Sequence, residues 1–117
     1  MLKIEAIIKP FKMRDVKKAL SDVGITRMTV TEVKEFGCHH DHVAIYRGNE
    51  HLVDFLPNIK IEVVAMDGQL DEVVEAIAAA ATTGKDDEGE ILVFPIQESV
   101  PIRTLHTNRV ESFSRTY

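Results

Sequence analysis

Short runs of alternating apolar and polar residues open two similar stretches of the chain. "KIEAIIKPFKMRDVKKAL" (Lys3 to Leu20) aligns without gaps on "KIEVVAMDGQLDEVVEAI" (Lys60 to Ile77), at an offset of 57 residues. Each copy begins with an Ile/Val-rich run, Ile4 to Ile8 and Ile61 to Ala65. These runs are too short for a helix and rich in β-branched residues, which predicts strands buried in a sheet. Pro10-Phe11 and Asp67-Gly68 then act as breakers. Beyond them the period changes. Val16, Ala19, Leu20 and Val23 recur at helical spacing, as do Val73, Ala76, Ile77 and Ala80. Gly24 and Gly84 stand where these helices are expected to stop. A further strand follows each helix, Met28 to Phe36 and Glu90 to Ile96.

Two βαβ units in series predict an α+β fold of order βαββαβ. The economical packing is an antiparallel four-stranded sheet with both helices on one face, the ferredoxin-like arrangement. The strands carry Ile, Val, Leu and Phe without a clean polar alternation, so the uncovered face predicts a homo-oligomer. Phe11, Phe36, Phe55 and Phe94 are expected in the core or at a subunit interface, and Met28 and Met66 as gap-fillers. The connection between the second and third strands, residues 37–55, far exceeds the ~2–5 residues of an ordinary hairpin, and long loops of this kind are usually functional.

Size and charge narrow the classes. The 117 residues suit one domain, read as 1–104 followed by a tail, 105–117. The tail is polar and hydroxyl-rich, either a mobile end or a cover for a cleft. A net charge of −5 without clustered Lys/Arg argues against a nucleic-acid partner. No signal-peptide pattern opens the chain, and its longest apolar run, Ala76 to Ala81, is too short for membrane insertion. A single cysteine suits a reducing cytoplasm, the expected location.

The long loop changes this plain picture. "CHHDHVAIYRGNEH" (Cys38 to His51) holds the one cysteine and four of the five histidines, where an even scatter would put about 0.6. Thiolate and imidazole are the donors that zinc, copper and nickel prefer. Continued as a strand, the loop start would direct Cys38, His40 and His42 to one side and His39 to the other, with His51 arriving from the return arm. These five residues are candidate ligands for Zn, Cu or Ni. The competing reading is a solvated, partner-contacting or pH-sensitive patch, since the spacing matches no standard zinc motif. Catalysis is not expected, because neighbours Cys38 and His39 on an extended strand point apart and cannot form a nucleophile–base pair. Tyr46 and Arg47, near the loop tip, are candidate partner-docking residues.

"KIEAIIKPFK", "ITRMTVTEVKEFG", "IYRGNE", "VDFLPNIKIEVV" and "VVEAIAAAATTGK" closely resemble the PII signal-transduction proteins, over roughly Met1 to Arg103. The resemblance implies a homotrimer, a loop that docks on a membrane transporter or metabolic enzyme, and nucleotide sites in clefts between subunits. Such proteins usually read ATP, ADP and 2-oxoglutarate. Carried onto this chain, the nucleotide residues are Thr29, Gly37, Val64, Thr83, Gly84, Gly89 and Arg103.

Departures from the family pattern bear on that site. The family's glycine-rich phosphate loop ends in a lysine; here it reads "TGKDDEGE", with Asp87 for the second glycine and Glu90 for the lysine. A polyphosphate favours backbone amides and a cation. Two unit charges ~4 Å apart at an effective dielectric of ~20 interact by ~4 kcal/mol, and Glu90 inverts the sign of that interaction. Pro101 replaces the first arginine of an Arg-x-Arg pair, His39 a glutamine of the 2-oxoglutarate chelate, His51 the modified tyrosine, and Asn58 a lysine. The expectation is a regulator without catalytic activity, with weakened binding of ATP, ADP or AMP and a candidate metal-sensing loop. The alternative is a conventional nitrogen/carbon-status regulator that tolerates these changes.

Overall fold

The computed structural model describes residues 1–36, 56–84 and 89–103. Within them β1 (Leu2–Ile8) leads through a 3-10 turn (Pro10–Lys12) into α1 (Met13–Asp22), then β2 (Thr29–Glu35). The second half repeats the order with β3 (Leu56–Ala65), a 3-10 turn (Asp67–Gln69), α2 (Leu70–Ala81) and β4 (Ile91–Pro95). The strands form one antiparallel sheet in the order β2-β3-β1-β4, the ferredoxin-like topology.

The sequence repeat is a repeat of buried positions. Ile4, Ala6, Ile8, Val16 and Leu20 are buried, and so are Ile61, Val63, Ala65, Val73 and Ile77, their counterparts 57 residues on. In the β1–β3 register Ile4 faces Val63, Ala6 faces Ile61 and Ile8 faces Ile59, so the two copies interlock across the sheet centre. Both helices lay their apolar stripes on these strands, and α1 packs on α2. Pro10 and Asp67 turn the chain between strand and helix as expected: each opens a 3-10 turn that feeds directly into the helix.

The two helix ends differ. After α1, Gly24 has φ 89°, the Ile25 N–H donates to the Leu20 carbonyl at 2.9 Å, and the Gly24 N–H donates to that of Ser21 at 3.0 Å. This paired closure needs a left-handed residue and tucks Ile25 into the core. Gly84 does not play that part. α2 is capped by Thr82 in extended conformation, and Gly84, φ 78°, donates its N–H to Thr82 Oγ1 at 3.2 Å.

Of the phenylalanines expected in the core or at a subunit interface, those described all lie on the surface of this chain. Phe11 (73% exposed) and Phe36 (67%) lie outside the core, and Phe94 (40%) lies on the open sheet face; Phe55 falls outside the described residues. Met28 packs on the core as expected, whereas Met66 is exposed beside the second 3-10 turn. The open face also presents Val64 and Leu92, next to Phe94 across the register from Lys3 and Glu5. Among the described residues no helix is long and apolar enough to cross a membrane.

Candidate functional site

Two cavities lie near opposite ends of β3. The first, about 230 Å³, sits where β1 ends, β3 begins and α2 runs out; Ile7, Glu35, Asn58, Thr83, Gly89 and Glu90 are among its lining residues. The second, about 400 Å³, is formed where the α1–β2 connection meets the far end of β3, and is lined by Arg27, Thr29, Glu62, Val64 and Gln69 among others. Asn58 and Val64 are six residues apart on one strand, which at ~3.3 Å per residue separates them by about 20 Å.

The first cavity has an apolar floor and a polar mouth. Asn58, 4% exposed, is the one buried polar residue among those described. Its Nδ2 donates to Glu35 Oε1 at 2.7 Å, which satisfies the amide and fixes the carboxylate at the rim. The contact follows from the β2–β3 register, where Val33 faces Asn58 and Glu35 faces Leu56, placing Glu35 diagonally across from Asn58 on the same face. Gly89 approaches the β1 backbone closely: a Cβ there would lie 3.2 Å from the Ile7 carbonyl oxygen. Glu90 is exposed at the mouth and makes no ion pair with a described residue. Among the described residues Lys9 is the one cation lining this cavity, with the carboxylates of Glu35 and Glu90.

The second cavity borders a charged cluster on the open sheet face. Lys3 Nζ lies 3.3 Å from Glu5 Oε2 and 3.3 Å from Glu62 Oε2, and 4.9 Å from the Phe94 ring centroid. Hydrogen bonding to Glu5 and then Glu62 holds the Lys3 ammonium above its ordinary range, outweighing a smaller desolvation effect. Glu62 is thereby occupied. Arg27, exposed on the same cavity's wall, makes no ion pair with a described residue.

The nucleotide residues expected from the sequence divide between these places. Thr83 and Gly89 line the first cavity, Thr29 and Val64 the second, while Gly84 and Arg103 line neither. Gly37 lies outside the described residues, as do the candidate metal ligands Cys38, His39, His40, His42 and His51 and the docking candidates Tyr46 and Arg47. Among the described residues no group of three or more His, Cys, Asp or Glu could hold a metal ion. Glu35, Lys9 and Arg27 are lining residues that sequence reasoning missed. Asn58 was visible only as the replacement for a lysine.

A family model described as nitrogen regulatory protein P-II matches residues 1–106. The chain is 54% identical over 108 residues to "Nitrogen regulatory protein P-II" of Pasteurella multocida (strain Pm70), covering 92% of this chain and 96% of that one. The protein of the same description from Haemophilus influenzae (strain ATCC 51907 / DSM 11121 / KW20 / Rd) is 50% identical over 108 residues, with the same coverage, 92% and 96%. "Nitrogen regulatory protein P-II 1" of Escherichia coli (strain K12) is 54% identical over 104 residues, 89% of this chain and 93% of that one. The duplicated ferredoxin-like core and these similarities, spanning nearly the whole chain, agree: the chain belongs to the nitrogen regulatory protein P-II family, whose members are signalling regulators rather than enzymes.

Proposed function

We propose that this chain is a cytoplasmic nitrogen-status regulator that works as a homotrimer. It reads an adenine nucleotide in a cleft shared by two copies and reports the result to a transporter or metabolic enzyme through residues 37–55. One observation carries the reading. The nucleotide residues implied by the family resemblance split between two cavities near opposite ends of β3, so a single ligand meets both sets only where two copies join. The exposed apolar side chains of the open sheet face supply a surface for that joining.

The lining of the first cavity sets the nucleotide preference. Glu90 stands where the family places a phosphate-binding lysine, and Asn58, bonded to Glu35, where it places a second cation. The cleft therefore favours the adenosine part of its ligand and disfavours added phosphates and the dicarboxylate 2-oxoglutarate. Calorimetric titration with AMP, ADP and ATP, with and without 2-oxoglutarate, tests this. Expected are weak ATP binding without 2-oxoglutarate dependence, and a gain of roughly tenfold or more in ATP affinity for Glu90→Lys, ~1.4 kcal/mol. Tight, 2-oxoglutarate-dependent ATP binding by the unaltered protein would contradict the preference. Binding of no adenine nucleotide at all would contradict the cleft.

The clustering of Cys38, His39, His40, His42 and His51 supports a second input, a transition metal bound by the loop. Titrating metal-free protein with Zn²⁺, Cu²⁺ and Ni²⁺ should give an affinity that a Cys38→Ser/His40→Ala/His42→Ala variant loses. Equal affinity in both proteins removes this input.

A further inference from the structure

We infer that Arg27 of one copy pairs with Glu90 of the next, so that the chain closes its shared cleft with its own charges. The inference rests on the reading that the first cavity of one copy faces the second cavity of its neighbour. Among the charged residues lining the second cavity, Glu62 is already held by Lys3 at 3.3 Å, which leaves Arg27 exposed and without an ion pair among the described residues. Among the carboxylates lining the first, Glu35 accepts the Asn58 amide at 2.7 Å, which leaves Glu90 exposed and without an ion pair among the described residues. These two groups are of opposite sign, and they lie on the two surfaces that the shared cleft brings together. Within one chain they cannot meet, since their cavities lie near opposite ends of β3. Arginine suits the task because its planar fork takes a carboxylate with two hydrogen bonds.

The pairing gives Glu90 a part beyond repelling phosphate. A polyphosphate in the shared cleft would offer negative charge to a cation on each wall, Lys9 on one and Arg27 on the other. Here Glu90 is that negative charge, covalently supplied. The interface therefore needs no bound anion to satisfy Arg27, and an incoming polyphosphate has to displace a carboxylate before it reaches the cation. Lys9, the cation among the described residues of the first cavity, makes no ion pair with a described residue and offers Glu90 an intramolecular rival.

A charge-swap cycle on the full chain tests the pair. The oligomer's dissociation is followed by light scattering on dilution, for the wild type, Arg27→Glu, Glu90→Arg and the double variant. Each single reversal sets like charges against each other and should raise the dissociation midpoint concentration by about tenfold or more, whereas the double variant should return to within about threefold of wild type. Additive losses in the double variant overturn the pair while leaving the shared cleft standing. So does rescue of Glu90→Arg by Lys9→Glu or Arg103→Glu in place of Arg27→Glu. A wild-type protein that is monomeric at every concentration removes the shared cleft and the pair together.

Discussion

Asn58 and Glu35 show how much of this site depends on single side chains meeting. From the sequence, Asn58 is only the residue standing where a lysine is expected, and Glu35 is one of several carboxylates near a strand end. Their 2.7 Å hydrogen bond depends on the β2–β3 register, and the strands that set it are separated by residues 37–55. Register across so long a connection has no local signature, which is why the contact was illegible. Removing one partner should leave the other with an unmet polar group. Glu35→Ala is expected to destabilise the fold by roughly 1–2 kcal/mol in urea unfolding, more than Glu32→Ala on the same strand, because the buried Asn58 amide loses its acceptor.

Lys3 gives a prediction of a different kind. Glu5 and Glu62 raise its pKa above the ordinary 10.5, so the folded protein holds this proton more tightly than the unfolded chain does. The resulting stabilisation is fully present below pH 10.5 and is lost as pH rises through the higher folded-state value. Urea midpoints measured from about pH 9 to about pH 12 should fall more steeply for the wild type than for Lys3→Met. Parallel curves would mean that the cluster contributes nothing to folding. Gly24 is tested through its backbone: with φ 89° it should cost about 1 kcal/mol when changed to alanine, whereas Gly68→Ala, with open space around its Cβ, should be neutral or slightly stabilising.

At the scale of elements, the sequence was most legible where burial repeats. Both 3-10 turns, both helix starts and the five buried positions of each copy keep the 57-residue offset, because apolar periodicity records burial directly. Leu20 and Ile77, nearly inaccessible counterparts on α1 and α2, should therefore behave alike. Each, cut to alanine, is expected to cost about 2–5 kcal/mol, read from denaturant midpoints at unchanged slope. A large disparity would show that one copy of the repeat carries the core. Legibility fades after the helices, where the copies stop matching: α1 closes on Gly24 in left-handed conformation, while α2 closes on extended Thr82, ahead of the acidic run Asp86-Asp87-Glu88 in the sequence. Glycine composition alone does not tell these two endings apart. Phe11, Phe36 and Phe94 lie at the surface of the single chain, and their sequence pattern does not separate core from interface. Hydrophobicity says that a side chain avoids water, not whether its own chain or another covers it.

For the whole molecule, the sheet is finished on one face and unfinished on the other. Helices cover Ile4, Ala6, Ile61 and Val63, while Val64, Leu92 and Phe94 remain open beside the Lys3–Glu5–Glu62 cluster. Family membership fits that asymmetry, and under the proposed function the division of the expected nucleotide residues between two cavities would give it a purpose, a binding site completed by assembly. In the proposed assembly each cleft takes one wall from each of two copies. Thr29→Glu would spoil the second cavity and Thr83→Glu the first, each leaving the opposite wall intact. The most direct measurement is ADP binding to each variant alone and to the two refolded together in equal amounts. Neither pure variant should bind, and random mixing should restore about one cleft in four, those with both sound walls. If mixing restores no binding while the wild type binds ADP, the site lies within a single chain and the account is wrong.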